Sequence, residues 1–262
     1  MVKISHEVPL CLLDDSKRFN NYDYCLPHLL DKEPEYEKYF KNAKKEGRYI
    51  IMDNSLHELG EAYDSDRLHY WINTLKPNEF IVPDVWEDCI SSIQNAEIWA
   101  LNDFPEEVEP VAVVQAKTLH EASECTKAYK RLGYKKIAYS YGASYYNDIC
   151  PHPNKDLGKA LGRVFVISTL LKIGDLQFND RVHLLGCAVP QEFGWYKNIP
   201  CIESIDTSNP VMATLEDIIY RGNGLNVKPK ANMNDHLYIE NKDIDFDLLT
   251  HNLEMFKKIN NL

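Results

Sequence analysis

Five short apolar runs in this chain end in a residue that packing against a core does not require. They are Asp53 after YIIM, Asp84 after FIVP, Gln115 after VAVV, Ser140 after KIAY and Asp206 after CIESI. For any one aspartate, a turn or helix N-cap directly after a strand is an ordinary explanation, and Asp84 before VWEDC and Asp206 before TSNP both fit it. Agreement among five ends points elsewhere. If the runs are parallel strands closing into one barrel, three carboxylates, an amide and a hydroxyl project into a single mouth. Carboxylates grouped there repel one another, so at least one must have a raised pKa or bind a proton-donating partner. Such a cluster suits a ligand rich in N–H donors, with one carboxylate left as nucleophile or general base. Binding of a magnesium-like ion is the competing use of three aspartates. It ranks second because no phosphate loop lies near them.

The elements that would position these residues alternate along the chain. Strands are read at 8 to 13, 49 to 53, 80 to 84, 111 to 115, 136 to 140, 182 to 186 and 201 to 206, with 224 to 228 a weak eighth. Helical patterns lie between them, near 31 to 46, 64 to 75, 88 to 101, 118 to 131, 156 to 173, 190 to 197 and 210 to 221. A last one at 246 to 260 carries Leu248, Leu249, Leu253, Phe256 and Ile259 on one face. The segment 14 to 30 reads as a long polar-aromatic connection, a surface loop or a lid. Neither GxGxxG nor GxxxxGK[ST] follows any strand, so a (β/α)₈ TIM barrel is preferred to an open doubly wound sheet.

Composition agrees with one barrel domain over residues 1 to 262. The chain is 44% hydrophobic and 26% charged, enough apolar material for a full core. Lys and Arg number 29 against 40 Asp and Glu, and the net charge of −11 argues against a protein that coats nucleic acid by charge alone. Local basic clusters remain, at residues 38 to 48, at 127 to 136, and at Arg221, Lys228 and Lys230. The first two read as solvated helix faces. The seven cysteines are scattered without a CxC or CxxC pair, which fits reduced thiols. No apolar stretch reaches the roughly eighteen residues of a membrane span, and the start lacks a signal-peptide pattern, so a cytoplasmic location is expected.

Six segments, taken in order, resemble the tRNA-guanine transglycosylase family, a barrel that exchanges guanine for a 7-deazaguanine in nucleic acid. IMDNS is similar to that family's LDSGG, which implies that Asp53 sits against the base or moves a proton. VPDVWEDC resembles the FDEC-type segment and VVQAK the VQGG segment, implying that Asp84 and Gln115 read the guanine edge. IAYSYG resembles GLAVG, placing the backbone of Tyr139 and Ser140 at the base pocket. HLLG is similar to LMG, with Leu185 against the base face and Gly186 beside it. ESIDTSNPV resembles the segment holding the nucleophile, implying Asp206. The chain also departs from the pattern. Ser55 and Leu56 stand where the family has two glycines, and His57 stands where its stacking aromatic lies. THNLEMF resembles the helix bearing the last zinc ligand, here His251, but no cysteine follows residue 201. A lone histidine cannot hold a structural zinc. No metal and no cofactor is therefore expected, and the resemblance narrows to the zinc-free, phage-type enzymes that act on DNA.

The chemistry implied is base exchange. Asp206 would trap an oxocarbenium-like sugar carbon, and a proton near Asp53 would relieve the departing base. The implied partners are DNA, preferred over tRNA, and a free 7-deazaguanine base, with Arg221, Lys228 and Lys230 contacting phosphates. In duplex DNA the nucleotide would have to be flipped out. Alternatives stay open at this stage: a tRNA-guanine transglycosylase, a hydrolytic N-glycosidase, a non-catalytic partner subunit, and an unrelated metal-dependent lyase on the same barrel.

Overall fold

The apolar runs are too short to cover a face alone and too apolar to leave one wet, so they pair with both faces covered. The computed structural model describes residues 2–262. It contains eight strands: β1 (Lys3–Ser5), β2 (Asp23–Cys25), β3 (Ile50–Met52), β4 (Glu79–Ile81), β5 (Glu109–Val114), β6 (Lys136–Ser140), β7 (Arg181–Leu185) and β8 (Ile202–Asp206). All pair in parallel, in the order β1-β8-β7-β6-β5-β4-β3-β2. With helices between the strands, this is a nearly closed (β/α)₈ TIM barrel. The remaining gap, between β1 and β2, is stitched by side chains. Asn21 N donates to Ile4 O at 2.8 Å, while Asn21 Oδ1 and Asn20 Oδ1 accept from the backbone of Ile4 and His6. Asn20 Nδ2 returns a bond to His6 O, so two asparagines do the work of a ladder.

The helices begin where capping residues satisfy the free N–H groups of their first turn. Asp64, Asp88, Thr118, Asn154 and Asp245 each accept from a backbone N–H two or three residues on. One contiguous core joins the strands to the helix faces, from Ile4 to Phe256. Among the described residues no helix is long and apolar enough to cross a membrane.

Two expected strands are misplaced. Residues 8 to 13 form no strand; Leu10–Leu12 and Leu13–Ser16 are helical turns, and β1 lies upstream at Lys3–Ser5. Pro9 has no N–H for a ladder, and an apolar run this short satisfies either periodicity. Residues 224 to 228 are irregular, with an isolated Arg221–Gly224 bridge, and the missing strand is β2, inside the segment read as a connection. The helix expected over 210 to 221 stops at Leu215. Beyond it Asn252 takes the backbone groups that a helix would have used, accepting from Tyr220 N and donating to Ile218 O.

Candidate active site at the barrel mouth

Every strand of the sheet points the same way, so the residues at or just past their C-terminal ends meet. They line a cavity of about 280 Å³, just under the roughly 300 Å³ at which drug-sized pockets begin. Asp53, Asp84, Gln115, Ser140, Leu185, Gly186 and Asp206 all line it, with His57, Lys228 and Lys230 toward the outside. Two expected residues do not. Tyr139, expected there through its backbone, has its carbonyl taken by Arg163 Nη1 at 3.1 Å, and its side chain points out of the barrel to Thr126 Oγ1, as strand alternation with Ser140 requires. Arg221 is exposed and away from the cavity lining.

Asp206 ends β8. Its Oδ1 lies 2.9 Å from His183 Nε2, and its Oδ2 accepts a longer bond, 3.3 Å, from Gly186 N. Burial pushes its carboxyl up to about 7, against the pull of the Gly186 amide and the Arg163 guanidinium. Gly186 is bound to be glycine, since it has a left-handed φ of +59° and a Cβ there would meet the Tyr141 ring at 2.5 Å. Its turn is fixed from below by Arg163, fully buried on the helix Lys155–Ile173. Arg163 donates to Tyr139 O, Leu185 O and Gly186 O and pairs with Glu192 at 2.6 Å.

Asp53 follows β3 and accepts from Tyr24 Oη at 2.8 Å and from Ser55 N at 3.0 Å. Burial pushes it up to about 6, the Tyr24 bond opposes this, and the Asp206 charge adds to the rise. Ser55 itself has a left-handed φ of +56° and bonds His28 Nδ1 through its hydroxyl at 2.7 Å. Asp84 forms a pair with Gln115, whose Nε2 donates at 2.6 Å, and its other oxygen accepts from Asn54 Nδ2. Gln115 Oε1 is occupied by Glu87 N. Burial pushes Asp84 up to about 6 as well. Each Asp84 oxygen keeps a lone pair, and the Gln115 amide keeps one N–H, for a ligand.

Seven further residues of this site escaped the sequence reading. Glu7 and Glu58 bring two more carboxyls, which burial and the neighbouring aspartates push up, Glu7 to about 8. One oxygen of Glu58 is buried without a hydrogen-bond partner. Tyr24 and Asn54 hold Asp53 and Asp84, and His183 holds Asp206. Trp86, 42% exposed, and Tyr141 supply rim aromatics; Tyr141 stands edge-on to His57 and lies under the Lys228 ammonium. Glu7 and Tyr24 were hidden by the misplacement of β1 and β2. His183 did carry a signal, as a polar residue inside the apolar run VHLLG.

Among the described residues no three His, Cys, Asp or Glu side chains converge as a metal-ligand set. His251 Nε2 donates to Tyr220 O at 2.9 Å, tying the last helix to the preceding loop. The chain matches no protein-family model, and no curated protein is significantly similar to it.

Proposed function

We propose that this barrel is a base-exchange transglycosylase that replaces guanine with a 7-deazaguanine derivative in DNA through a covalent aspartyl-sugar intermediate. The observation that carries the reading is the pairing of two functions in one base-sized cavity. Asp84 and Gln115 present two acceptor positions and a free N–H, the complement of guanine's amino group, N1–H and O6. Beside them lie two more buried carboxylates, Asp53 and Asp206, on separate strands. The left-handed Ser55, at the place of a glycine in the LDSGG segment, supports the resemblance independently of residue identity.

In this reaction an Asp206 oxygen bonds to the sugar carbon as the bond from that carbon to the base nitrogen breaks, and the departing base takes a proton from Asp53. The incoming base returns a proton to Asp53 as its nitrogen displaces the Asp206 ester, so the cycle balances without an external reactant. Because Asp53 and Asp206 repel each other, the pair favours holding one proton near neutral pH. The first step requires that proton on Asp53 with Asp206 ionised; burial raises Asp206 further than Asp53, so the proton has to pass from Asp206 to Asp53 when the base binds. Leu185 lies in the cavity wall as an apolar face for the base.

The test is incubation with labelled guanine and either duplex DNA or tRNA, followed by nucleoside analysis. Label entering DNA is the expected result. Release of guanine without incorporation would make the protein a hydrolase, and incorporation into tRNA alone would move the substrate while leaving the chemistry.

A further inference from the structure

His183 stands inside the barrel on β7, directly across the ladder from Ser204 of β8. Its Nδ1 is 2.8 Å from Ser204 Oγ and its Nε2 is 2.9 Å from Asp206 Oδ1. Its ring stacks on Tyr24 of β2, centroids 6.0 Å apart and planes 17° from parallel. Tyr24 in turn donates to Asp53. Both ring nitrogens are therefore committed, and neither faces the cavity.

We propose that His183 is the positioning residue of Asp206, a neutral imidazole that holds Oδ1 and reverses its tautomer as Asp206 loses or gains its proton. With Asp206 ionised, Nε2–H donates to Oδ1 and Nδ1 accepts from the Ser204 hydroxyl. With Asp206 protonated, the carboxyl donates to Nε2 and Nδ1–H donates to Ser204 Oγ; a hydroxyl that rotates serves either state. In the ionised state Oδ1 is engaged, and Oδ2, held only by the long Gly186 contact, is the oxygen free to bond to carbon. The nucleophilic part of this inference rests on the transglycosylase reading; the tautomer part does not.

The surroundings favour a neutral ring. Burial, with Lys136 of β6 and Arg163 on the adjacent helix, outweighs Glu79 of β4 and pushes His183 down to about 3. The Asp206 charge in turn raises Glu7 beyond β1 and Asp53 beyond β3.

The experiment has two arms. Ring ¹⁵N spectra of the whole protein, with His183 assigned by difference from His183→Gln, should show Nε2–H at pH 9 and Nδ1–H at pH 5. Asp206→Asn should hold one tautomer throughout. A single tautomer in the wild type, or an imidazolium at pH 5, overturns the proposal without touching base exchange. In single-turnover adduct formation, His183→Phe keeps the stack on Tyr24 but should slow the step at least about tenfold, with KM for guanine within about twofold. Its acidic limb should move to higher pH, since a carboxylate stripped of an N–H donor holds its proton more tightly. His183→Gln, which keeps an N–H at that reach, should recover most of the rate. A Phe variant with the wild-type rate and pH profile, or a Gln variant as slow as Phe, overturns the proposal.

Discussion

The two ends of the barrel carry similar residue types and treat them in opposite ways. At the N-terminal end, Glu79, Glu109 and Glu203 meet Lys3, Lys136 and Arg181. Lys136 reaches Glu79 at 2.7 Å, and Arg181 reaches Glu79 at 2.7 Å and Glu203 at 2.6 Å. Tyr49 donates to Glu79 as well, so the buried charges there are compensated and hydrogen-bonded. At the C-terminal end five carboxyl groups, Glu7, Asp53, Glu58, Asp84 and Asp206, share one cavity. The lysines in its lining are Lys228, engaged with Tyr141, and the exposed Lys230. The same strands thus end in a neutralised plug below and, above, in carboxyls without matching cations, the aspartates held by hydrogen bonds instead. A fold does not need the second arrangement, so the unpaired end is where the chemistry is to be sought.

Substitutions at the two ends should therefore separate activity from stability. Asp206→Asn keeps side-chain volume and removes the charge. Exchange should fall by at least about 10³-fold, the range seen when a member of a catalytic unit is lost, with no covalent nucleic-acid adduct on denaturing gels. Thermal stability should hold or rise, since one repelling carboxylate has gone. Activity near wild type would place the nucleophile elsewhere. At the other end, Lys136→Met leaves Glu79 buried with half its compensation and should destabilise by about 3–5 kcal/mol in denaturant unfolding. The double variant Lys136→Met with Glu79→Leu should recover much of that loss, and both should exchange guanine normally per folded molecule. If Lys136→Met abolishes exchange in folded protein, the two ends are coupled and the comparison fails.

The pH dependence of stability should also differ between the ends. Asp84 is pushed up to about 6 when folded, against about 3.9 when unfolded. Below about pH 4 both states hold the proton, and the group does not affect folding. As pH rises from about 4 to 6 the unfolded chain releases a proton that the native state retains, so stability falls. Above about 6 the full loss, on the order of 2–3 kcal/mol, is in place. Asp206, at about 7, and Glu7, at about 8, extend the fall toward pH 8. Glu203 at the lower end runs the other way. Burial raises it, but Arg181 and the two lysines hold it below its ordinary value, so its contribution is lost only as acid protonates it. Calorimetry from pH 5 to 8 should show a declining Tm, and Asp84→Asn should make the decline shallower. A Tm that rises over this range would contradict a mouth without matching cations.

The C-terminal half of this contrast was legible in the sequence, and the ion pairs of the N-terminal half were not, because their partners come from different strands. Six strands and the residues that end them, from Asp53 to Asp206, could be read because each apolar run stands between clear helical patterns. The first two strands could not. β1 and β2 are as short as β3 and β4, but β1 lies before the run that was read, and β2 begins with Asp23, whose charge is met by Arg48 and Tyr39 from elsewhere in the fold. Tertiary pairing of this kind leaves no local trace. Glu7 and Tyr24 were lost with those strands, while the left-handed φ of Ser55 goes with a hydroxyl held by His28 from another segment, which no local propensity encodes. The backbone of Tyr139 was expected at the pocket by segment likeness, but its carbonyl is taken by Arg163, a long-range contact that the segment does not show.

The rim tests the smallest effect and the least direct part of the functional reading. A cavity dominated by carboxylates repels a polyanion, so DNA must be held by cations outside it. Lys228 and Lys230 line the cavity's outer part, whereas Arg221, also expected to contact phosphates, lies away from it. Lys228 is partly committed, since its backbone N donates to Asp156 and its ammonium sits 4.4 Å from the centre of the Tyr141 ring. Each phosphate neutralised adds about 0.9 to the slope of log binding constant against log salt. Replacing both lysines with glutamine should therefore reduce that slope by less than about 2 and weaken DNA binding, while free guanine binding is spared. Arg221→Gln should change the slope less than either lysine. Fluorescence titrations of duplex DNA at several salt concentrations measure both variants. An unchanged slope in the double lysine variant would mean that the polymer approaches from another side, and the mouth would then be a small-molecule site alone.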